Sequence, residues 1–152
     1  MTNKDKCISE TSAHILSVTK LINIISTKIL ERGVSHDASK LVPPELDYFT
    51  KYTHKLAAST YGSPEYEKCL VDMKPALDHH YAVNRHHPQH FPDGIKGMNL
   101  VDLVELICDW KASSLRHNDG NILKSIEVNV KRFEMSEDLT AVLRNTCELL
   151  EM

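Results

Sequence analysis

Histidine is where chemistry first shows in this sequence. There are nine in 152 residues, and five of them, His79, His80, His86, His87 and His90, crowd into one short stretch. Imidazole is the commonest metal ligand and titrates near neutrality, so the enrichment points to metal or acid–base chemistry. A second feature is the adjacent pair His36-Asp37. One neutral and one anionic donor suit Mn, Fe, Ni, Co or Zn better than Ca, which prefers all-oxygen shells. Helical neighbours point about 100° apart, so the pair would converge on an ion lying over the edge between them. Two further donors sit where a bare polar group is costly. His14 lies one turn before Val18, close to an apolar stripe, and Asp109 lies mid-helix in LVDLVELICDWKAS, one turn after Leu106. A buried carboxylate needs a partner or must give up its charge, and one ion would meet that need for both. Each also has a plainer reading: His14 as a boundary histidine, Asp109 as a surface partner of Lys111 or Arg116.

The elements that must position these residues are helical. Ile15, Val18, Ile22, Ile25 and Ile29 recur at three- and four-residue steps, which predicts a helix from about Ile8 to Arg32, ended by Gly33. His36 to Leu41 reads as a short helical turn. Pro43-Pro44 stops it and opens another helix, with Glu45 in a first turn where the helix dipole favours a carboxylate. Gly62-Ser63-Pro64 breaks the chain, and the helix that follows is kinked near Pro75 and runs to about Asn84. Residues 85–97, RHHPQHFPDGIKG, read as a loop. Asn99 caps a strong helix to about His117. Asn118-Asp119-Gly120 reads as a turn, and helices near 121–133 and 137–150 follow, the last capped by Ser136. No stretch alternates with period two. The expectation is an all-α bundle of six or seven helices, one domain over residues 1–152.

Composition narrows the class further. With 41% hydrophobic and 26% charged residues and a net charge of −3, the chain reads as an ordinary globular protein, without the basic clusters that bulk nucleic-acid binding needs. No uninterrupted apolar run approaches the roughly 20 residues of a membrane span. The polar start MTNKDKCISE does not fit a secretory signal, so a cytoplasmic protein is expected. Cys7, Cys69, Cys108 and Cys147 are far apart and read as free thiols.

The order of the candidate donors is itself informative. A His on one helix, an adjacent His-Asp, then an Asp on a late helix resembles the HD-domain superfamily of metal-dependent phosphohydrolases. The wider wording agrees: His36-Asp37-Ala38-Ser39-Lys40, then His80-x-x-x-Asn84-x-His86-His87, then Asp109-Trp110. It is similar to a small branch found in bacteria and their phages. The resemblance implies an all-α fold, a metal held by His14, His36, Asp37 and Asp109, and hydrolysis of a phosphate ester, often in a nucleotide. Some members hold two metals through two extra histidines, which here would be His80 with His86 or His87. The alternative for these histidines is contact with phosphate or proton donation to the leaving oxygen. Asp37, His80 and His87 are therefore the candidate catalytic residues.

A divalent ion lowers the pKa of bound water and polarises a phosphoryl oxygen, and cationic side chains would neutralise the phosphate. Lys40, Arg85, Lys96 and Arg116 are the candidates, in that order. Asn84 caps its helix or contacts substrate. Asp102 and Glu105 read as first-turn or solvent-facing charges, with Glu105 also within reach of a ligand. Trp110 and Tyr48 read as core, Tyr81 as core or a stacking partner for a base, and His54 and His117 as surface. Two other classes stay open: a two-iron HD-type oxygenase, and a module that binds a nucleotide or a protein partner without turnover. A homodimer through exposed apolar helix faces fits any of the three.

Overall fold

The computed structural model describes residues 2–60, 63–116 and 120–150. These residues form seven α-helices and no strand, as the periodicity predicts. By internal contact the chain divides into two compact units, Met1–Ser35 and His36–Met152.

The first unit is a single long helix, α1 (Asn3–Ser35), with no buried residue. Gly33 does not end it; the helix continues two residues further. Ile15, Val18, Ile22 and Ile25 are exposed, and so is His14. Described by itself, the first unit buries neither His14 nor the stripe, because one helix cannot cover its own stripe. By length and composition alone, α1 is also apolar enough to cross a membrane. Counting uninterrupted apolar residues misses this, since the interruptions are mostly Ser, Thr and Asn rather than charges. Mostly buried core helices of soluble proteins and N-terminal signal sequences meet the same criterion.

The second unit opens with a 3-10 turn (Ala38–Leu41) and α2 (Glu45–Ala58). The segment expected to be one kinked helix is two, α3 (Pro64–Asp72) and α4 (Lys74–Val83), hinged at Met73. Pro75, which lacks an N–H to donate, is tolerated in the first turn of α4. The 3-10 turn, α2, α3 and α4 pack together. The loop after α4 carries two short 3-10 turns, Pro88–His90 and Gly94–Gly97.

α5 (Leu100–Ser114) starts on a full capping box: the Asn99 side chain accepts from the backbone of Val101 and Asp102, and Asp102 accepts from the Asn99 N–H. α6 (Ile122–Arg132) and α7 (Glu137–Glu148) follow, capped by Asn121 and Ser136. Ile107, Ile122, Ile126, Leu143 and Cys147 form the core between these three helices, with Trp110 and Phe133 stacked beside them. Trp110, expected in the core, is partly buried and packs against it. The four cysteines are free thiols, Cys147 buried and Cys7 and Cys108 exposed. His117, Gly62 and the turn at Asn118-Asp119 lie outside the described residues.

Candidate metal centre

The centre is assembled in the second unit from the chain just past α1, the end of α4, the loop behind it and the middle of α5. His36 and Asp37 do not sit on a helix as expected. Asp37 is left-handed, with φ 56 and ψ 13. A non-glycine residue rarely adopts this conformation, though Asp tolerates it best. Such strain tends to persist where a side chain must be aimed. The Asp37 carboxylate consequently faces histidines on two sides.

On one side, Asp37 Oδ2 lies 3.6 Å from His36 Nε2, and the same nitrogen lies 3.6 Å from Asp109 Oδ1. On the other, Asp37 Oδ1 lies 3.2 Å from His80 Nε2 and 3.5 Å from His86 Nε2. His87 joins this second side, its Nε2 2.8 Å from that of His80. Asp37, His80, His86 and His87 each offer one donor atom, and these atoms lie within 4.8 Å of one another, a group able to hold a metal ion. His36, His86 and Glu105 form an adjoining group of the same kind.

Hydrogen bonding tests whether a cation fits. Asp37 Oδ1 and both ring nitrogens of His86 are buried and have no aligned hydrogen bond. A buried polar atom without a partner costs about 1–3 kcal/mol, and a cation between Asp37 Oδ1 and His86 Nε2, 3.5 Å apart, would remove that cost for those two atoms. Two imidazole nitrogens 2.8 Å apart also fit lone pairs converging on one ion. The donor set therefore fits a divalent ion held by nitrogen and carboxylate.

Electrostatics agrees. The carboxylates of Asp109 and Glu105, in that order, raise His36 to about 10. Burial pushes the Asp37 carboxyl upward, but the neighbouring His80 and Lys40 outweigh it and leave the group well below the carboxylate range. Asp109 is likewise lowered, the bond from His36 overcoming burial. Burial, reinforced by His86 and His80, pushes His87 down to about 3. His87 is thus neutral at physiological pH, the state a ligand or base requires.

Carboxylates stand behind the imidazoles. Glu45 is fully buried and accepts from His79 Nδ1 at 2.7 Å and His80 Nδ1 at 2.8 Å. Burial raises its pKa, but these bonds and one from Ser39 hold it below the usual value. Glu105 Oε1 accepts from His36 Nδ1 at 2.9 Å and lies 3.0 Å from His86 Nδ1. Asp102 is the first-turn charge expected but is buried rather than solvent-facing, and Glu105 takes the second place expected for it, behind candidate ligands. The role of Glu45 is invisible in the sequence: a first-turn glutamate looks the same whether it faces water or a histidine.

The candidate substrate contacts diverge. Lys40 stays at the site, paired with Asp37 Oδ2 and lying 5.1 Å from the centroid of the Phe49 ring. Asn84 both caps α4, its amide donating to the His80 carbonyl, and ties Ser39 to that helix through a 2.8 Å bond. Arg85 is committed to Asp102 through two bonds of 3.0 and 3.1 Å and stacks on Phe91. Lys96 lines a surface pocket with Arg132 and Glu134, and Arg116 is exposed just past α5. His90 is tied to the Tyr81 carbonyl. The structure thus brings together His36, Asp37, Lys40, His80, His86, His87 and Asp109, whereas His14 lies on the other unit.

No curated protein and no solved structure matches the chain. A model for a family of unknown function, DUF5662, matches residues 3–150, and the chain belongs to that family.

Proposed function

We propose that this chain is an HD-type metal-dependent phosphohydrolase acting on a nucleotide or a related small phosphate ester. The observation that carries the reading is the pair of buried, unpartnered donors Asp37 Oδ1 and His86 Nε2, 3.5 Å apart, with His80 Nε2 alongside. Two donor sets share Asp37. Oδ1 lies beside His80 and His86, with His87 next to them, and Oδ2 faces His36, whose Nε2 also faces Asp109. The nitrogen content favours Mn, Fe, Co, Ni or Zn over Ca or Mg, and the division of Asp37 suits two ions. Bound there, such ions supply an acidified water and polarise the phosphoryl oxygen.

The protein's own contributions are more specific. Asp37 would offer one oxygen to each side, Oδ1 toward His80 and His86 and Oδ2 toward His36, aimed by its left-handed backbone. Lys40 offers an ammonium to the phosphate beside Asp37. Arg85 is a weaker candidate, because leaving Asp102 would strand a buried carboxylate.

The test is metal analysis of the purified protein and of Asp109→Ala and Asp37→Asn, followed by a nucleotide screen with several divalent ions. The wild type should hold metal and release phosphate or pyrophosphate from at least one substrate. Both variants should lose metal and activity while keeping helical circular dichroism. Unchanged metal content in either variant sinks the assignment. Two irons with an oxygen-sensitive absorption band would move the site to oxygenase chemistry.

A further inference from the structure

We infer that Glu45 and Glu105 are positioning residues that divide the two donor sets between them; this rests on the metal-centre reading above. A metal-bound histidine presents one nitrogen to the ion and commonly donates the other N–H to a carboxylate, which fixes its tautomer and ring angle. Both glutamates stand in that place. Glu45 Oε2 faces His80 Nδ1 at 2.8 Å, leaving Nε2 directed at Asp37 Oδ1. Glu105 Oε1 faces His36 Nδ1 at 2.9 Å, leaving Nε2 between Asp37 Oδ2 and Asp109.

The arrangement is not symmetric. Glu45 serves only the side of Asp37 that holds His80; its other oxygen goes to His79, outside the cluster. A single oxygen of Glu105 faces an imidazole from each side, with His86 Nδ1 at 3.0 Å. The rings of His36 and His86 lie 4.4 Å apart, centroid to centroid. Glu105 is therefore common to both donor sets, and Glu45 belongs to one. Full burial of Glu45 and the 8% exposure of the Glu105 side chain keep water from taking their place.

The consequence is a pattern across variants. Glu45→Ala should weaken one equivalent of bound ion by about 10- to 100-fold and spare the other. Glu105→Ala should weaken both by a similar factor. Glu45→Gln and Glu105→Gln keep an acceptor and should recover much of the loss. Titration of the full chain with Mn or Zn, with stoichiometry from elemental analysis, reads all four. Imidazole nitrogen spectra of the Zn-loaded wild type should show His36 and His80 protonated at Nδ1 and coordinated at Nε2.

Equal losses at one equivalent in both Ala variants would overturn the division of labour, as would coordination through Nδ1. Unchanged affinities in all four variants, with metal still bound by the wild type, would remove the positioning roles and leave the metal centre standing. A wild type that binds neither ion would overturn the metal reading and this inference with it. The Gln variants keep the test decisive if an Ala variant fails to fold.

Discussion

At the scale of single residues, Asp37 and Lys40 set up a competition. The Lys40 ammonium pairs with Asp37 Oδ2, the oxygen nearest His36 Nε2. A divalent ion seated there would share that oxygen with it. Lys40→Met should therefore leave metal affinity unchanged or raise it, while weakening phosphate-ester binding about tenfold, the equivalent of roughly 1.4 kcal/mol. Titration with Mn and the KM of any substrate found by screening would check this; a loss of metal affinity would show that Lys40 supports the ion rather than the phosphate. Much of the site was legible at this scale. His36-Asp37, Asp109 and the histidine cluster stand out by residue type alone, and all but His79 and His90 converge on Asp37. His14 illustrates the limit, since a position near an apolar stripe does not say which surface would cover that stripe. Glu45 illustrates another, because its partners are 34 and 35 positions away and no local pattern announces them.

At the scale of elements, the loop from Arg85 to Gly97 links α4 to the start of α5 through one chain of contacts. Arg85 binds Asp102, which also completes the capping box of α5, and Arg85 lies 4.8 Å from the Phe91 ring centroid. Gly97 closes the chain of contacts: a Cβ there would stand 2.8 Å from Phe91 Cβ. Gly97→Ala should thus push on Phe91, and through it on Arg85. Forcing an extra carbon into a packed site costs about 1–3 kcal/mol, readable as a lower midpoint in urea with an unchanged slope. Full stability in that variant would show that Phe91 moves aside freely. Element types were readable because apolar spacing and capping residues are local signals: Asn99 and Ser136 each start the helix that follows. The break at Met73 was less so, since Pro75 permits either a kink or a fresh start. The loop's tight packing was hidden because Gly97 reads as a turn residue, while its real constraint is a ring six positions away.

At the scale of the whole molecule, the candidate metal centre would tie stability to both pH and metal. Without an ion, His36 is raised to about 10, so in the metal-free protein a proton takes the place of a cation. Its folded value lies above the unfolded value of about 6.5. Its stabilising contribution is therefore complete below about 6.5 and is lost as pH rises through 10. His87, lowered to about 3, acts in the opposite sense: its contribution is present above about 6.5 and is lost as pH falls toward 3. Asp37, Asp109 and Glu45, all held below the ordinary carboxylate range, contribute above about pH 4 and are lost below it. Metal-free protein should therefore be most stable near neutrality and less stable on either side. Ion binding must displace the His36 proton, so uptake at pH 7 should release protons, and affinity should rise with pH toward 10. At a concentration 100 times its Kd, an ion stabilises by about 2.7 kcal/mol, or roughly 5–10 °C in Tm for a chain of this size. Thermal unfolding with a chelator and with Mn, at pH 5, 7 and 9, checks both parts. The increment due to Mn should grow from pH 5 to pH 9. An increment of zero would leave the cluster as a set of internally paired charges, and one independent of pH would mean that the ion does not compete with a proton at His36.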